Sequence, residues 1–344
     1  MKILVALSGG VDSSTAAFLL KKNGHSVSGA TIFFKGVSNE DVEYARRVCE
    51  ILDIPYYTFD FADAYQRAIV ENFLEEYQSG RTPNPCVRCN QLIKFGLFLN
   101  KALEMGFEKI ATGHYARLEE KDGVYLLKRG RDKNEQSYFL YRLNQKQLSK
   151  ILLPLGEFTK EEVRNIARKM NLPTHQRKKS QDVCFLPDTD YVVYLKNIIP
   201  EKKGPILNQE GKKIGEHRGI VYYTYGQRKR LGISHSKPLY VVKIDAENNA
   251  IYVGEKKDVY KRELIASNFN FIYDFDLSKP IKVLAKARYF APLSPATVRI
   301  IPGTPLKVRV TFEKPQWALT PGQSVVFYKD DILLGGGIIE EVAK

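Results

Sequence analysis

The sequence predicts an α/β domain with a doubly wound parallel sheet, followed by two small mainly-β domains, the last barrel-like. Three observations lead there. In the first half, apolar runs of strand length alternate with segments whose apolar residues recur at helical spacing, as in a parallel sheet with crossover helices. A glycine pair, Gly9-Gly10, sits where the first apolar run gives way to the first helical segment. After about Pro200 the chain turns to short β runs, broken near the end by Pro292, Pro295, Pro302, Pro315 and Pro321. The expected domains are residues 1–200, 201–265 and 266–344.

The elements follow in order. Ile3 to Leu7 is a continuous apolar run, suited to a strand buried on both faces. Ser14 to Lys22 places Ala16, Ala17, Leu19 and Leu20 at helical spacing, and Gly24 supplies the stop. Val27 to Phe34 is the next strand. Ser38 caps a helix through Leu52, with Asp41 at the capping-box position and Cys49 beside Val48 and Ile51 on the buried face. Tyr56 to Phe61 reads as a strand and Ala64 to Tyr77 as a helix. A helix over Gln91 to Met105 leads into the strand Lys109 to Thr112. Tyr115 to Arg129 reads as a hairpin turning at Asp122-Gly123. Thr159 to Met170 is a helix with Thr159 and Glu162 as its capping box and Pro173 beyond its end. In such sheets ligands bind beyond the carboxyl ends of the strands. Leu7-Ser8-Gly9-Gly10 and Thr112-Gly113-His114-Tyr115 both lie at such ends, and the loop bearing Cys86 is expected at the same edge.

Bulk composition narrows the function. The formal net charge of +14 favours a polyanionic partner, because each neutralised phosphate releases counterions. Four cysteines in 344 residues are too few for a secreted disulfide scaffold. No apolar stretch is long enough to span a bilayer, so the expectation is a cytoplasmic protein with reduced thiols and no membrane partner.

Ser8-Gly9-Gly10-Val11-Asp12-Ser13 has the make-up of a phosphate loop. Its glycines allow close backbone approach, the helix start presents free N–H groups, Ser8 and Ser13 add hydroxyls, and Asp12 could hold Mg²⁺. No lysine follows the glycines, so it is not the Walker type. Cys86 and Cys89 form a Cys-x-x-Cys pair after Pro83-Asn84-Pro85, read as loop. Without a second pair a four-cysteine zinc ribbon is excluded, while zinc held by Cys86, Cys89, Cys184 and His114 or His175 stays open. Arg177-Lys178-Lys179 and Asp182 place Cys184 on a charged loop, a setting for a reactive thiol. Cys49 is expected to be structural.

Longer motifs narrow this further. The first hexad resembles the signature of the PP-loop ATP pyrophosphatases. Gly80-Arg81-Thr82-Pro83-Asn84-Pro85, Cys89-Asn90, Ile93-Lys94-Phe95, Ala111-Thr112-Gly113-His114-Tyr115, Asp132 and Gln136-Ser137-Tyr138-Phe139-Leu140 resemble the tRNA-specific 2-thiouridylases. So do Ser180-Gln181-Asp182-Val183-Cys184-Phe185, Tyr225-Gly226-Gln227-Arg228, Gly232, Arg288-Tyr289 and Pro321-Gly322-Gln323-Ser324. The motifs run in order along essentially the whole chain.

The resemblance implies a PP-loop, adenine-nucleotide-hydrolase-like fold and ATP-dependent 2-thiolation of the wobble uridine of tRNA. By position, Ala6, Leu7, Ser8, Gly9, Gly10, Val11, Asp12, Ser13, Ile32 and Gly113 would bind ATP. Asn84, Pro85, Cys86 and His114 would lie at the target base, and Asn134, Glu135, Gln136, Arg288, Tyr289 and Gln323 would contact tRNA. Cys184 takes the persulfide-carrying position and Cys89 that of the nucleophile, which resolves the persulfide as a Cys89–Cys184 disulfide. The step calls for an exposed, readily ionised thiol. Arg228, Lys229, Arg230 and Lys286 are candidate phosphate contacts. A cysteine desulfurase or sulfur-relay protein is the implied partner. Some members carry Asp where this chain has Cys86, so Cys86, Cys89 and Cys184 could instead hold a [4Fe-4S] cluster that carries the sulfur. Rival readings are a PP-loop amide-forming synthetase acting on a small molecule, a thiolase for another tRNA position, and an RNA-binding module switched by nucleotide.

Overall fold

The computed structural model describes residues 1–34, 36–177, 183–186, 190–274, 278–303 and 307–343. Its first sheet is wholly parallel, in the order β3-β2-β1-β4-β7. The strands are β1 (Lys2–Ala6), β2 (Ser26–Phe33), β3 (Tyr56–Asp60), β4 (Lys109–Ala111) and β7 (Ile151–Leu152). Ile3, Leu4 and Val5 have no exposed surface, as the unbroken apolar run requires of a strand covered on both faces. Two-residue β7 is too short to leave a sequence signal.

Helix α1 (Val11–Lys22) packs Ala16, Ala17 and Leu20 onto the sheet, and α2 (Asn39–Ile51) carries the expected Ser38–Asp41 capping box. Cys49 is buried, its thiol pushed up to about 12 by burial, and a Cβ on Gly29 would stand 2.4 Å from its sulfur. Both observations fit a packing role.

The sequence reading starts the fourth helix too late. Helical structure begins with α3 (Pro85–Cys89) and continues through Asn90–Phe98, where the bonding widens to i→i+5, into Leu99–Glu104. Pro85 stands at the first helical position, where its missing N–H does no harm, and the Asn84 side chain caps the Val87 N–H at 3.4 Å. The Cys-x-x-Cys pair is thus on a first helical turn, not in a loop. Capping residues looked like loop residues because they are both.

The hairpin β5 (Ala116–Lys121) and β6 (Val124–Arg129) turns at Asp122 (φ 51°) and Gly123 (φ 76°), both in the left-handed region that a tight hairpin turn demands. It does not extend the parallel sheet. Lys128 pairs with Ile332, which joins the hairpin to the C-terminal sheet.

A central four-stranded sheet follows, ordered β10-β11-β8-β9 from β8 (Gly204–Leu207), β9 (Lys213–His217), β10 (Tyr240–Asp245) and β11 (Ala250–Gly254). Then come β12 (Tyr260–Phe271), β13 (Ile281–Lys286), β14 (Ser294–Ile301), β15 (Lys307–Trp317), β16 (Ser324–Lys329) and β17 (Ile332–Val342). They form a six-stranded barrel in the order β12-β15-β14-β13-β16-β17, closed by β12–β17 pairing. Closure pairs the two end strands of the six, β12 and β17, with each other. Val308, Val310, Phe312, Val325 and Phe327 are among the residues that fill it.

The segment just before α3 is where all three parts meet. Thr82 Oγ1 lies 2.7 Å from Thr224 Oγ1 of the central region. Gln323, beside the barrel strand β16, donates from Nε2 to the carbonyls of Thr82 (3.0 Å) and Pro83 (2.9 Å). Gly322 has φ +90°, and a Cβ there would stand 2.8 Å from the Thr82 oxygen, so the barrel backbone can approach this closely only with glycine. Among the described residues no helix is long and apolar enough to cross a membrane.

Candidate active site

The glycine loop joins β1 to α1 at the carboxyl edge of the parallel sheet. Gly9 has φ +69°, and a Cβ there would stand 2.4 Å from the Asp41 carbonyl oxygen, so no other residue fits. Ser13 Oγ accepts from the Ser8 N–H at 3.1 Å and lies 3.3 Å from Ser8 Oγ, which sets the loop's curvature. Gly113, just past β4, lies against the same turn: a Cβ would stand 2.8 Å from the Ser13 nitrogen. Ile32, near the end of β2, is buried, and Ala6, Leu7, Gly10 and Val11 complete the strand–loop–helix path. The expected nucleotide residues therefore converge on one edge.

The loop has no lysine of its own, but the fold brings cations to it. The Lys160 ammonium, at the start of α4 (Lys160–Lys169), donates to both carboxylate oxygens of Asp12 at 2.5 and 2.6 Å. The Tyr115 hydroxyl donates to the same carboxylate at 2.7 Å. Arg177 donates to the Gly9 carbonyl at 3.0 Å and to Asp41 at 2.6 Å, with its guanidinium over the Tyr44 ring. Asp41 stays below the usual carboxylate range: hydrogen bonds from Ser38 and Arg177 outweigh the opposing effect of its partial burial. Sequence reading missed Lys160, although its Thr159–Glu162 capping box was legible. Nothing local in the sequence says that this helix start faces the glycine loop.

The thiols make the second half of the site. Cys184 is exposed, Cys86 half-buried and Cys89 only 5% exposed. Burial pushes the Cys86 thiol up to about 11, reinforced by Cys184 and opposed by Lys94. Burial pushes Cys89 up to about 12, with Lys94 opposing and Cys184 and Cys86 reinforcing. The three sulfurs thus lie within one another's fields. The expectation of an exposed, readily ionised nucleophile does not hold for Cys89 in the free chain. It packs in the cluster of Ile93, Phe95 and Phe98 and is a neutral thiol at pH 7. Cys184 lies 3.1 Å from the Tyr65 hydroxyl. Lys178, Lys179 and Asp182 lie outside the described residues.

His114 links the two halves. It follows Gly113, bonds through Nδ1 to Thr112 Oγ1 at 2.8 Å, and stacks at a tilt on Phe95. Burial, helped by the Lys94 charge, holds its imidazole well below the usual range and therefore neutral. His217 in β9 is likewise depressed by burial. The unfolded chain binds more protons than the folded one below the ordinary imidazole pKa of about 6.5. Their contribution to stability is thus fully present above that pH and declines as pH falls through the depressed folded values. Urea midpoints measured from pH 7.5 down to pH 5 should fall, and His217→Asn should flatten the profile.

The residues expected at tRNA are packed inward in the free chain. Glu135 is buried, accepting from Ser137 N–H (2.9 Å) and pairing with Arg129 (3.3 Å). Gln136 bridges both backbone groups of Tyr115, and the Asn134 carbonyl accepts from the Tyr289 hydroxyl at 3.0 Å. Arg288 donates to the Tyr225 carbonyl at 3.1 Å and to Thr320. The Tyr289 ring lies 4.6 Å from that of Phe139, whose carbonyl accepts from Asn90 beside Cys89. Phe290, next in sequence, is 90% exposed. Arg230 pairs with Asp190, and Lys286 sits over the Tyr289 ring.

The sequence suggests three metal centres: Mg²⁺ at Asp12, and either zinc or a [4Fe-4S] cluster at the thiols. Asp12 offers a hard carboxylate, which suits Mg²⁺ held otherwise by water and phosphate oxygens. Among the described residues no set of three His, Cys, Asp or Glu side chains is grouped to hold a metal ion. The three thiols as placed fit neither a [4Fe-4S] cluster nor, with His114 or His175, zinc, and no step is derived through either.

Residues 1–188 match the family model described as the tRNA methyl transferase HUP domain, 193–255 the tRNA methyl transferase PRC-barrel domain, and 261–339 the aminomethyltransferase beta-barrel domain. The chain is 45% identical to the tRNA-specific 2-thiouridylase MnmA 1 of Clostridium botulinum (strain Loch Maree / Type A3), over 99% of each chain. It is 48% identical to that of Caldanaerobacter subterraneus subsp. tengcongensis, over 99% of this chain and 98% of the relative. Among solved structures, the U34-tRNA thiolase NcsA from Methanococcus maripaludis with its [4Fe-4S] cluster overlaps 57% of this chain and 67% of that chain, at 19% identity and a TM-score of 0.37.

Proposed function

The chain belongs to the tRNA-specific 2-thiouridylase family and is a tRNA sulfurtransferase, and from that premise we propose that it replaces O2 of the wobble uridine with sulfur, using ATP to activate the oxygen and Cys184 to carry the sulfur. The reading is supported by Cys86 and Cys89 on one helical turn, Cys184 held at the Tyr65 hydroxyl, and Gly113 and His114 leading from the glycine loop toward Phe95 on the same helix.

Uracil C2 is a poor electrophile. ATP cleaved between its α- and β-phosphates leaves AMP on O2, which turns that oxygen into part of a leaving group. The glycine loop receives the pyrophosphate end at free N–H groups, and Lys160 and Arg177 supply the positive charge that the loop lacks. Asp12 would contribute a carboxylate to Mg²⁺, which neutralises phosphate charge when bound. The base must leave its stack to reach the thiols.

Sulfur arrives on Cys184 as a persulfide from a cysteine desulfurase or relay protein. Its terminal sulfur attacks C2. Cys89, as thiolate, then attacks the Cys184 sulfur. The electron pair of the broken S–S bond passes to the transferred sulfur, the C2–O2 bond breaks, and AMP departs with the old oxygen. A Cys89–Cys184 disulfide remains, and two electrons from an external thiol reopen it. Burial keeps Cys89 protonated until this step, and Lys94 is the cation that opposes burial at both Cys86 and Cys89.

Protein incubated with ATP, Mg²⁺, a persulfide donor and unmodified tRNA should form AMP, together with tRNA that is retarded in a mercury-containing gel. ATP turnover with no sulfur in the RNA would sink the reading.

Phe290 is the side chain suited to meet RNA first. It projects from a stack of Tyr289 and Phe139 that leads to Asn90, with Lys286 alongside. An exposed ring is a stacking platform for an unpaired base, worth about 1–3 kcal/mol per base. Phe290→Ala should raise KM for tRNA by about tenfold and leave the affinity for ATP alone. Phe290→Trp should restore it.

A further inference from the structure

Cys184 is exposed but not loose. Its hydrogen-bonding neighbour is Tyr65, whose hydroxyl lies 3.1 Å from the sulfur. The Tyr65 ring is fully buried. It stacks on Phe34 with centroids 4.0 Å apart and planes within 8°, and it meets Phe185 edge-on at 6.1 Å. Phe185, the residue after Cys184, is buried against Phe73 at 5.1 Å and Tyr194 at 5.8 Å. Gly36 forms a seat beneath the backbone here. At φ +110°, a Cβ on it would stand 2.3 Å from the Cys184 carbonyl oxygen and 2.8 Å from Phe185 Cα.

A buried phenol needs a partner for its hydroxyl. Among the described residues the Cys184 sulfur is that partner. The charges of Cys184, Cys89 and Cys86 when ionised would all act on the Tyr65 hydroxyl. Burial, reinforced by those sulfurs, raises its pKa, so it remains an O–H donor.

We propose that Tyr65 is a positioning residue for Cys184: its hydroxyl donates to the sulfur and, with the Gly36 seat, holds it facing the Cys86–Cys89 turn before RNA arrives. An exposed cysteine on an unanchored segment would spread over many positions, and each lost position raises the effective concentration of the sulfur at its target. The functional consequence rests on Cys184 being the sulfur carrier, whereas the placement itself is testable without RNA, ATP or a sulfur donor.

Diamide provides the test. Two thiols each give up a proton and an electron to its N=N bond, yielding one disulfide and one hydrazine. In the full chain, peptide mass spectrometry follows the rate at which Cys184 is joined to Cys86 or Cys89. The Cys86–Cys89 disulfide in the same samples is the internal reference. Tyr65→Phe keeps the ring and removes the hydroxyl. Losing one hydrogen bond should lower the ratio of Cys184 disulfides to reference by about five- to tenfold, with the thermal midpoint nearly unchanged. A merely structural tyrosine would leave the ratio as it is, and an unchanged or higher ratio overturns the proposal. Should Tyr65→Phe not fold, Gly36→Ala disturbs the backbone seat while leaving the phenol in place, and it must lower the ratio too. Failure of Cys184→Ser to abolish thiolation would remove the carrier role without touching this result.

Discussion

Cys184→Ser should leave tRNA-dependent AMP formation running while thiouridine drops by about three orders of magnitude or more, the scale of losing a covalent nucleophile. The separation follows from the site's two halves. On the proposed mechanism adenylation draws on the glycine loop, with Lys160 on Asp12 and Arg177 on the Gly9 carbonyl, whereas the Cys184 sulfur bonds to Tyr65. Sulfur delivery needs a side chain that can bear a second sulfur, and serine cannot. Serine keeps the size and can still accept from Tyr65, so the fold should be intact. Counting AMP by chromatography and thiouridine by mass spectrometry in one reaction reads both halves. Equal loss of both products would mean that Cys184 serves adenylation, and undiminished thiouridine would end its role as carrier.

The second large effect is expected at Lys160. Lys160→Ala should slow AMP formation by about a hundred- to a thousandfold, the usual loss on removing one preorganised group from a site of developing charge. In the free chain this ammonium pairs with both oxygens of Asp12. That pairing stores a cation next to the loop and compensates a carboxylate that would otherwise repel phosphates. Alanine removes both benefits, while Lys160→Arg should keep part of the rate. Affinity for tRNA, measured by filter binding without ATP, should barely move. If it fell in step with the rate, Lys160 would be an RNA contact instead.

The fold was legible where local chemistry decides it. The apolar run Ile3–Leu7, the capping boxes at Ser38 and Thr159, and the Asp122-Gly123 turn each state their structure within a few residues. The start of α3 misled because Pro-Asn-Pro reads as loop until Asn84 is seen capping Val87. The hairpin's partner was invisible because the Lys128–Ile332 pairing joins distant parts of the chain. Site residues followed the same division. Those within contiguous motifs could be named from sequence. Lys160 and Tyr65 could not, because each acts on a residue far away along the chain. The protonation of Cys89 was misjudged for a related reason: burial depends on what packs over a residue, not on its neighbours in sequence.

Gln323 and Thr224 grip the peptide immediately upstream of the helix that bears Cys86 and Cys89. Neither β module can therefore shift against the nucleotide-binding module without dragging the sulfurs along. If the chain acts as proposed, RNA seated against either β module bears on Cys89 through that one peptide, so the fit of the substrate and the alignment of this thiol share a mechanical link.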